Sequence, residues 1–399
     1  MKSKRVLVLN ASYIEERPIT ILKELGCYVI TTGNRPDFPG HKLADEYVPW
    51  DYSDKEGILQ LAREKQIDAI CACCNDTSVK TASYVAEKLG LPGHDTYRSA
   101  CIINNKDEFK EFAWRSGVIT TAPGECFTDP DAAMQWAEKA DGFPLIVKPV
   151  DLDSGKGVKR VDTREELLGA ITEAFEKSLS GHIVIEKFIK GTQHGFCTFL
   201  ANKKVVAISS DNEISVVNPY RVEVASWPAT CFEQIKDQLV SEIEYMAEQL
   251  DLADGIFHLQ FIFRDGKAYI LECMRRLIGN LCNRVAQVHS DFDWDYWYVR
   301  ATCGFGCEGI PTRLEPLEIV GIRSLLSTKG GKFKKLRYPA EMEKNMLFKR
   351  ILLNEGDTIK RPYFDPIALL AFRFESMEEL KKKMIDGYYD ISVITDTME

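Results

Sequence analysis

Residues Ile256 to Asn280 read IFHLQFIFRDGKAYILECMRRLIGN, and this stretch decides how the rest of the chain is read. Phe257, Leu259, Phe261 and Phe263 alternate with His258, Gln260 and Ile262, and Arg264-Asp265-Gly266-Lys267 then turns the chain. Ala268 to Leu271 runs back apolar. Period-two apolarity, an Asp-Gly turn and an apolar return predict a β-hairpin. Its polar residues are His258, Gln260 and Glu272, with Arg275-Arg276 just beyond. An oxygen ligand on each of two paired strands, followed by a guanidinium, suits a magnesium-bound phosphate chain. An ordinary amphipathic hairpin with its polar side in water carries the same pattern.

Upstream, short apolar runs alternate with helical patterns: Arg5–Asn10, then Pro18–Leu25; Cys27–Thr31, then Ile58–Lys65; Ile67–Cys74, then Ser78–Leu89. That alternation predicts a doubly wound parallel sheet over the first 95 or so residues. The turn after the first strand, Asn10-Ala11-Ser12-Tyr13, lacks the glycines of a dinucleotide fingerprint, which disfavours an NAD-dependent enzyme. Asn10, Thr32 and Asn75-Asp76 fall at the carboxyl ends of strands, where open α/β sheets collect ligands. Plain turn chemistry explains the same residues.

Between this sheet and the hairpin lie several polar punctuations. Lys106 stands at a helix start, where a cation gains nothing from the helix dipole. Leu145-Ile146-Val147-Lys148-Pro149 is a strand ending in a lysine. The loop Ser154-Gly155-Lys156-Gly157 follows, small enough for its backbone N–H groups to converge on phosphate oxygens. It is not a Walker A loop, because Gly157 stands where Ser or Thr belongs. His182 to Ile189 is a strand interrupted by Glu186, and Gly191-Thr192-Gln193 comes next. Two hairpin arms at Phe196–Leu200 and Val205–Ser209, and a helix at Ile235–Leu250, lead into the opening stretch. From Pro311 the pattern changes to short strands and turns.

The 399-residue chain is 45% hydrophobic, enough for two or three domains with proper cores. A formal net charge of -9 argues against nucleic acid or an anionic membrane as partner. Twelve cysteines are scattered. The Cys71–Cys74 spacing sits in an apolar run, and Cys303–Cys307 has no second half, so neither predicts zinc. Free thiols, no apolar leader and no membrane-length run give the expectation of a soluble cytoplasmic protein.

In order and spacing these motifs resemble the ATP-grasp superfamily of carboxylate–amine ligases. They are Lys106 before a helix, Lys148 before Pro149, S-G-K-G, E-K-F-I with G-T-Q, and the hairpin ending Glu-x-x-x-Arg. The likeness is to the L-amino-acid (dipeptide) ligase branch, related to biotin carboxylase and carbamoyl-phosphate synthase. It implies an α/β chain with an N-terminal doubly wound domain (1–103), an ATP-grasp domain (104–310, small lobe about 120–185) and a C-terminal α+β extension (311–399). The joints are expected near Thr128-Asp129-Pro130 and Pro311.

The resemblance further implies that Lys106 and Lys148 hold ATP phosphates under a mobile loop of Ser154, Gly155, Lys156 and Gly157. Glu186 would contact the adenine amino group, Lys187, Phe188 and Ile189 would supply hinge backbone, and Gln193 would take the ribose position. Gln260 and Glu272 would be Mg2+ ligands, and Arg276, with Lys148, would serve the transferred phosphate or the substrate carboxylate. Two departures stand out: Gln260 replaces a frequent acid, and Met274 a usual asparagine. Glu272 is then the only carboxylate on the paired strands. The implied activity is ADP-forming amide synthesis through an acyl phosphate, with an amino acid or small peptide as the expected substrate. A sugar acid or other small carboxylate, and a non-catalytic nucleotide-binding module, are the alternatives. Expected partners are small-molecule carboxylate and amine substrates and a second copy in a homodimer, with neither nucleic acid nor membrane.

Overall fold

The computed structural model describes residues 3–140, 142–152, 156–218 and 221–397. At the N-terminus four parallel strands lie in the order Glu46–Val48, Tyr28–Thr32, Arg5–Leu9, Ala69–Cys71. Val6 and Val8 enter one apolar cluster while Leu7 and Leu9 enter another. Alternate side chains of one strand feeding two cores is what a doubly wound sheet requires. The expected third strand, Ile67–Cys74, is regular only over Ala69–Cys71, because the chain leaves the sheet after Cys71 and Asn75 then caps the helix Asp76–Leu89.

A small antiparallel sheet follows, ordered Gly124–Phe127, Ile183–Lys187, Leu145–Pro149, Lys159–Val161. Helices Pro130–Lys139 and Leu167–Lys177 cover it, with Ala133, Ala137, Leu167 and Ile171 packed on Leu145, Val147 and Ile185. Asp129 begins the first of these helices by accepting a hydrogen bond from the Ala132 N–H at 3.0 Å.

The predicted hairpin sits at the edge of an eight-stranded antiparallel sheet. The order is Lys267–Met274, Gly255–Arg264, Thr192–Ala201, Lys204–Ile214, Val224–Trp227, Ile319–Leu325, Ala368–Phe374, Met346–Ile351. Asp265 (φ 50°) and Gly266 (φ 76°) make the turn with both central residues left-handed, as the twist of a two-residue hairpin demands. Phe257, Leu259 and Phe261 pack against Ile235, Leu239, Ile243 and Met246 of the helix Phe232–Gln249. The last three strands come from beyond Pro311, so the C-terminal segment extends this same sheet. Among the described residues no helix is long and apolar enough to cross a membrane, and all twelve cysteines are free thiols.

Candidate active site

Between the small sheet and the large one lies a cleft of about 620 Å3. Register places its floor. Glu272 pairs with Gln260, Gln260 with Gly195, and Gly195 with Asp211, so one row crosses four strands. Residues two positions away on each strand share that face. The face therefore also carries His258, Gln193, Glu213 and Met274, all of which line the cleft. The hairpin's polar side faces this cleft and not bulk water.

Ten of the residues expected from the sequence meet here: Lys106, Lys148, Glu186, Lys187, Phe188, Ile189, Gln193, Gln260, Glu272 and Arg276. Lys106 opens the helix Lys106–Ser116; its Nζ donates to the Leu152 carbonyl at 2.9 Å and stands 3.9 Å from Glu272 Oε2. Lys148 Nζ donates to Glu186 Oε1 at 2.5 Å. Arg276 Nε donates to Asp76 Oδ1 at 2.6 Å, which ties the hairpin's exit to the first turn of the helix Asp76–Leu89. Beside that carboxylate the half-buried Arg276 guanidinium is held firmly charged. Lys156 and Gly157 lie outside the cleft lining; Gly157 (φ 74°) packs so closely on Pro149 that a Cβ would sit 2.7 Å from its Cγ. Ser154 and Gly155 lie outside the described residues.

Several of these side chains have partners within the protein. The Glu186 carboxylate is 3% exposed and serves two ammonium groups, Lys148 on one oxygen and Lys110, at 2.9 Å, on the other. Burial alone would raise its pKa, yet the two lysines bring it down to about 2. It is thus a counter-ion that sets Lys148. At the hinge the Lys187 N–H donates to Pro123 O and the Phe188 N–H to Pro144 O. Asn75 and Asp76 line the cleft, but Asn10 and Thr32 do not. Thr32 is fully buried, with its hydroxyl donating to Trp50 O, and Asn10 points its amide toward buried Glu15.

Four residues of the site were not foreseen. Lys110 is completely buried and also donates to Thr121 Oγ1 and, at 3.2 Å, to Ile270 O. It thereby joins the small sheet, through Glu186, to the hairpin. Asp211, Glu213 and His258 are the others. Gln260 Nε2 donates to both oxygens of Glu213 at 2.7 Å, and Gln193 Nε2 to one of them at 2.8 Å. The Gln193 amide thus goes to Glu213, and the Gln260 carbonyl oxygen takes no part in these bonds. Burial raises Glu213 to about 7 in spite of these amides, and nearby Glu272 adds to the rise. Asp211 is pushed well up by burial and then by Glu213. His258 is pushed down to about 3 by burial and by the Arg276 charge.

Among the described residues no three His, Cys, Asp or Glu side chains converge on a metal-sized point. That arrangement still fits Mg2+, which is commonly held by one or two carboxylates while phosphates and water complete its shell. Glu272 is the partly exposed carboxylate of the row, with the Gln260 amide oxygen opposite it across the hairpin.

The family description "Phosphoribosylglycinamide synthetase, ATP-grasp (A) domain" matches residues 104–215. Over nearly its whole length the chain also superposes on solved structures of that architecture. Residues 104–215 thus match an ATP-grasp domain, and the chain shares the fold of these solved structures. The phosphoribosylglycinamide synthetase of Anaerococcus prevotii aligns with a TM-score of 0.77 at 20% identity, covering 99% of this chain and 100% of that one. The L-amino acid ligase of Bacillus licheniformis aligns at 0.80 and 19% identity, covering 99% and 100%. The biotin carboxylase domain of the Hydrogenobacter thermophilus 2-oxoglutarate carboxylase, solved with MgADP and bicarbonate, aligns at 0.78 and 20% identity, covering 98% and 90%. In sequence the chain is 24% identical over 290 residues to the formate-dependent phosphoribosylglycinamide formyltransferase of Rhodococcus jostii, 68% of each protein. It spans about half the length (48%) of the enzyme of that name from Prochlorococcus marinus strain NATL2A, at 26% identity and 47% of this chain.

Proposed function

We propose that this ATP-grasp protein is an ADP-forming carboxylate–amine ligase that works through an acyl phosphate, with an amino acid or short peptide as the acid. The observation that carries the reading is the single cleft in which Lys106, Lys148 and Arg276 surround Glu272 and Gln260. Three cations and a carboxylate–amide pair suit a polyphosphate, its metal and a second anion. Lys106 and Lys148 hold phosphate oxygens, and Lys148 is presented from a buried ion pair. Glu272 and the Gln260 oxygen offer ligands to Mg2+, which when bound neutralises charge on the phosphates. Arg276, held by Asp76, steadies the acid.

A carboxylate oxygen then forms a bond to the γ-phosphorus as the bond to ADP breaks. An amine nitrogen next attacks the acyl carbon, the carbon–oxygen bond breaks, and phosphate leaves with that oxygen. Enclosure between the two sheets keeps water from the acyl phosphate. The relatives named for a formate-dependent reaction favour a second reading, a very small carboxylate as the activated acid. Both readings are tested by ADP release from Mg-ATP against pooled carboxylates and amines. Release that requires one member of each pool supports a ligase; release with neither is ATP hydrolysis and argues against a ligase, and none with any pool leaves a nucleotide-binding module.

A further inference from the structure

The floor of the cleft is wider than a polyphosphate needs. Gln260 and Ala225 both line it, yet they stand on strands three steps apart in the sheet, about 14 Å at the usual strand spacing. Lys106 and Arg276 belong to the Glu272 side. On the Ala225 side the cleft is lined by another arginine, Arg221, in the connection that leads into the strand Val224–Trp227. Its Nε is buried without a partner, and its terminal amino groups make no hydrogen bond or ion pair among the described residues.

The acids in that neighbourhood are engaged elsewhere. Asp365 accepts from Arg361 on both oxygens, at 3.0 and 2.5 Å. Glu223, 1% exposed, accepts the Val216, Val217 and Asn218 N–H groups on one oxygen, at 3.1, 2.7 and 3.0 Å, and the Tyr388 hydroxyl on the other. Buried Arg323 lies 3.5 Å from the centre of the Tyr388 ring and donates to the Tyr388 carbonyl at 2.9 Å. The C-terminal segment thus buries a phenol and a guanidinium to hold both ends of the connection, and the arginine that the connection carries into the cleft is left open. A guanidinium is a planar fork of N–H donors that matches carboxylate and phosphate oxygens. Partly desolvated and unpaired, it carries a cost that a bound anion offsets.

We propose that Arg221 receives an anionic group, carboxylate or phosphate, carried by the amine-bearing substrate. Arg276, held by Asp76 on the other side of the floor, serves the acid, and the two lysines serve ATP, so the unpaired arginine is left to the second substrate. That substrate is then an anionic amine, an amino acid or an aminoalkyl phosphate, and ammonia and amines without an anionic group are excluded. The assignment to the amine rests on the ligase reading; the anion site itself does not.

Ligand-observed NMR on the full chain, with Mg2+ and a non-hydrolysable ATP analogue, tests it. The probes are a pool of L-amino acids, a pool of aminoalkyl phosphates such as phosphoethanolamine, their counterparts without the anion (amino-acid amides and the free amines), and dicarboxylic acids without an amine. At least one anionic amine binds and its counterpart does not, and the pool it comes from separates carboxylate from phosphate. Arg221→Gln weakens that binding by at least about tenfold, the loss of a charge-assisted contact. Arg221→Lys keeps the charge without the fork and weakens it less. Affinity for the ATP analogue holds in both variants, and thermal melts confirm that both fold. Equal binding of the counterparts, no binding by any anionic amine, or unchanged affinity in Arg221→Gln overturns the proposal. Arg221-dependent binding confined to the dicarboxylic acids overturns it too, since the anion then belongs to the activated acid. ADP release from Mg-ATP separates this from the ligase reading. An anionic amine that binds through Arg221 but supports no ADP release with any carboxylate leaves the site and removes the ligase. ADP release that needs a carboxylate and an uncharged-end amine, and is equal in Arg221→Gln, does the reverse.

Discussion

At the residue scale the site depends on how Lys148 is held. Its ammonium shares the buried Glu186 carboxylate with Lys110, so it is poised at the cleft wall without being neutralised alone. Lys148→Ala is expected to weaken Mg-ATP binding by about 1.5–3 kcal/mol, the scale of a charge-assisted hydrogen bond. Calorimetry with equal affinity in the variant would remove the phosphate role. Lys110 does not itself line the cleft and acts through Glu186, which does. Lys110→Met leaves a buried carboxylate with one partner and should destabilise the fold by about 3–5 kcal/mol in urea titrations. Adding Glu186→Gln should recover part of that loss; a double variant no more stable than Lys110→Met would deny the coupling. The pH dependence has a definite sign. With its pKa lowered from 4.5 to about 2, Glu186 contributes stability at neutral pH that is lost as pH falls through that window. Without Lys110 the loss begins at higher pH.

At the scale of elements, hairpin register matters more than composition. Alternation around Asp265-Gly266 places Gln260 and Glu272 on two paired strands, and in the structure they pair directly. The strand Lys204–Ile214 was harder to see. Its apolar start ends in Ser209-Ser210-Asp211-Asn212-Glu213, which reads as a loop when strands are recognised by apolar residues. The signal was present as Asp211 and Glu213 two apart, the spacing of one sheet face. Lys110 was invisible for another reason: on a polar helix a lysine is normally solvated, and its burial arises only from Thr121 and Ile270, far along the chain. Because Glu272 is the row's exposed carboxylate, Glu272→Gln should shift the Mg2+ midpoint for ATP turnover upward and lower the rate. Gln260→Ala keeps the anion and should do less. An unshifted midpoint and equal turnover in Glu272→Gln would sink the metal assignment.

For the whole molecule, three chain segments converge on one cleft. The N-terminal sheet supplies Asp76 to hold Arg276, the small sheet supplies Lys148 and Glu186, and the large sheet supplies the acidic row. Alternating strands and helices made the first sheet readable, and motif order picked out many of the residues that line the cleft. The contact between Asp76 and Arg276, 200 positions apart, has no local signature. The central claim is that this cleft moves the γ-phosphoryl group of ATP onto a carboxylate. Its most direct test is isotopic. A pool of carboxylates labelled with oxygen-18 in the carboxyl group is incubated with the protein, Mg-ATP and pooled amines. If an acyl phosphate forms and an amine displaces it, one labelled oxygen leaves in inorganic phosphate alongside ADP. Label appearing in AMP, or ADP released with unlabelled phosphate, would contradict the account.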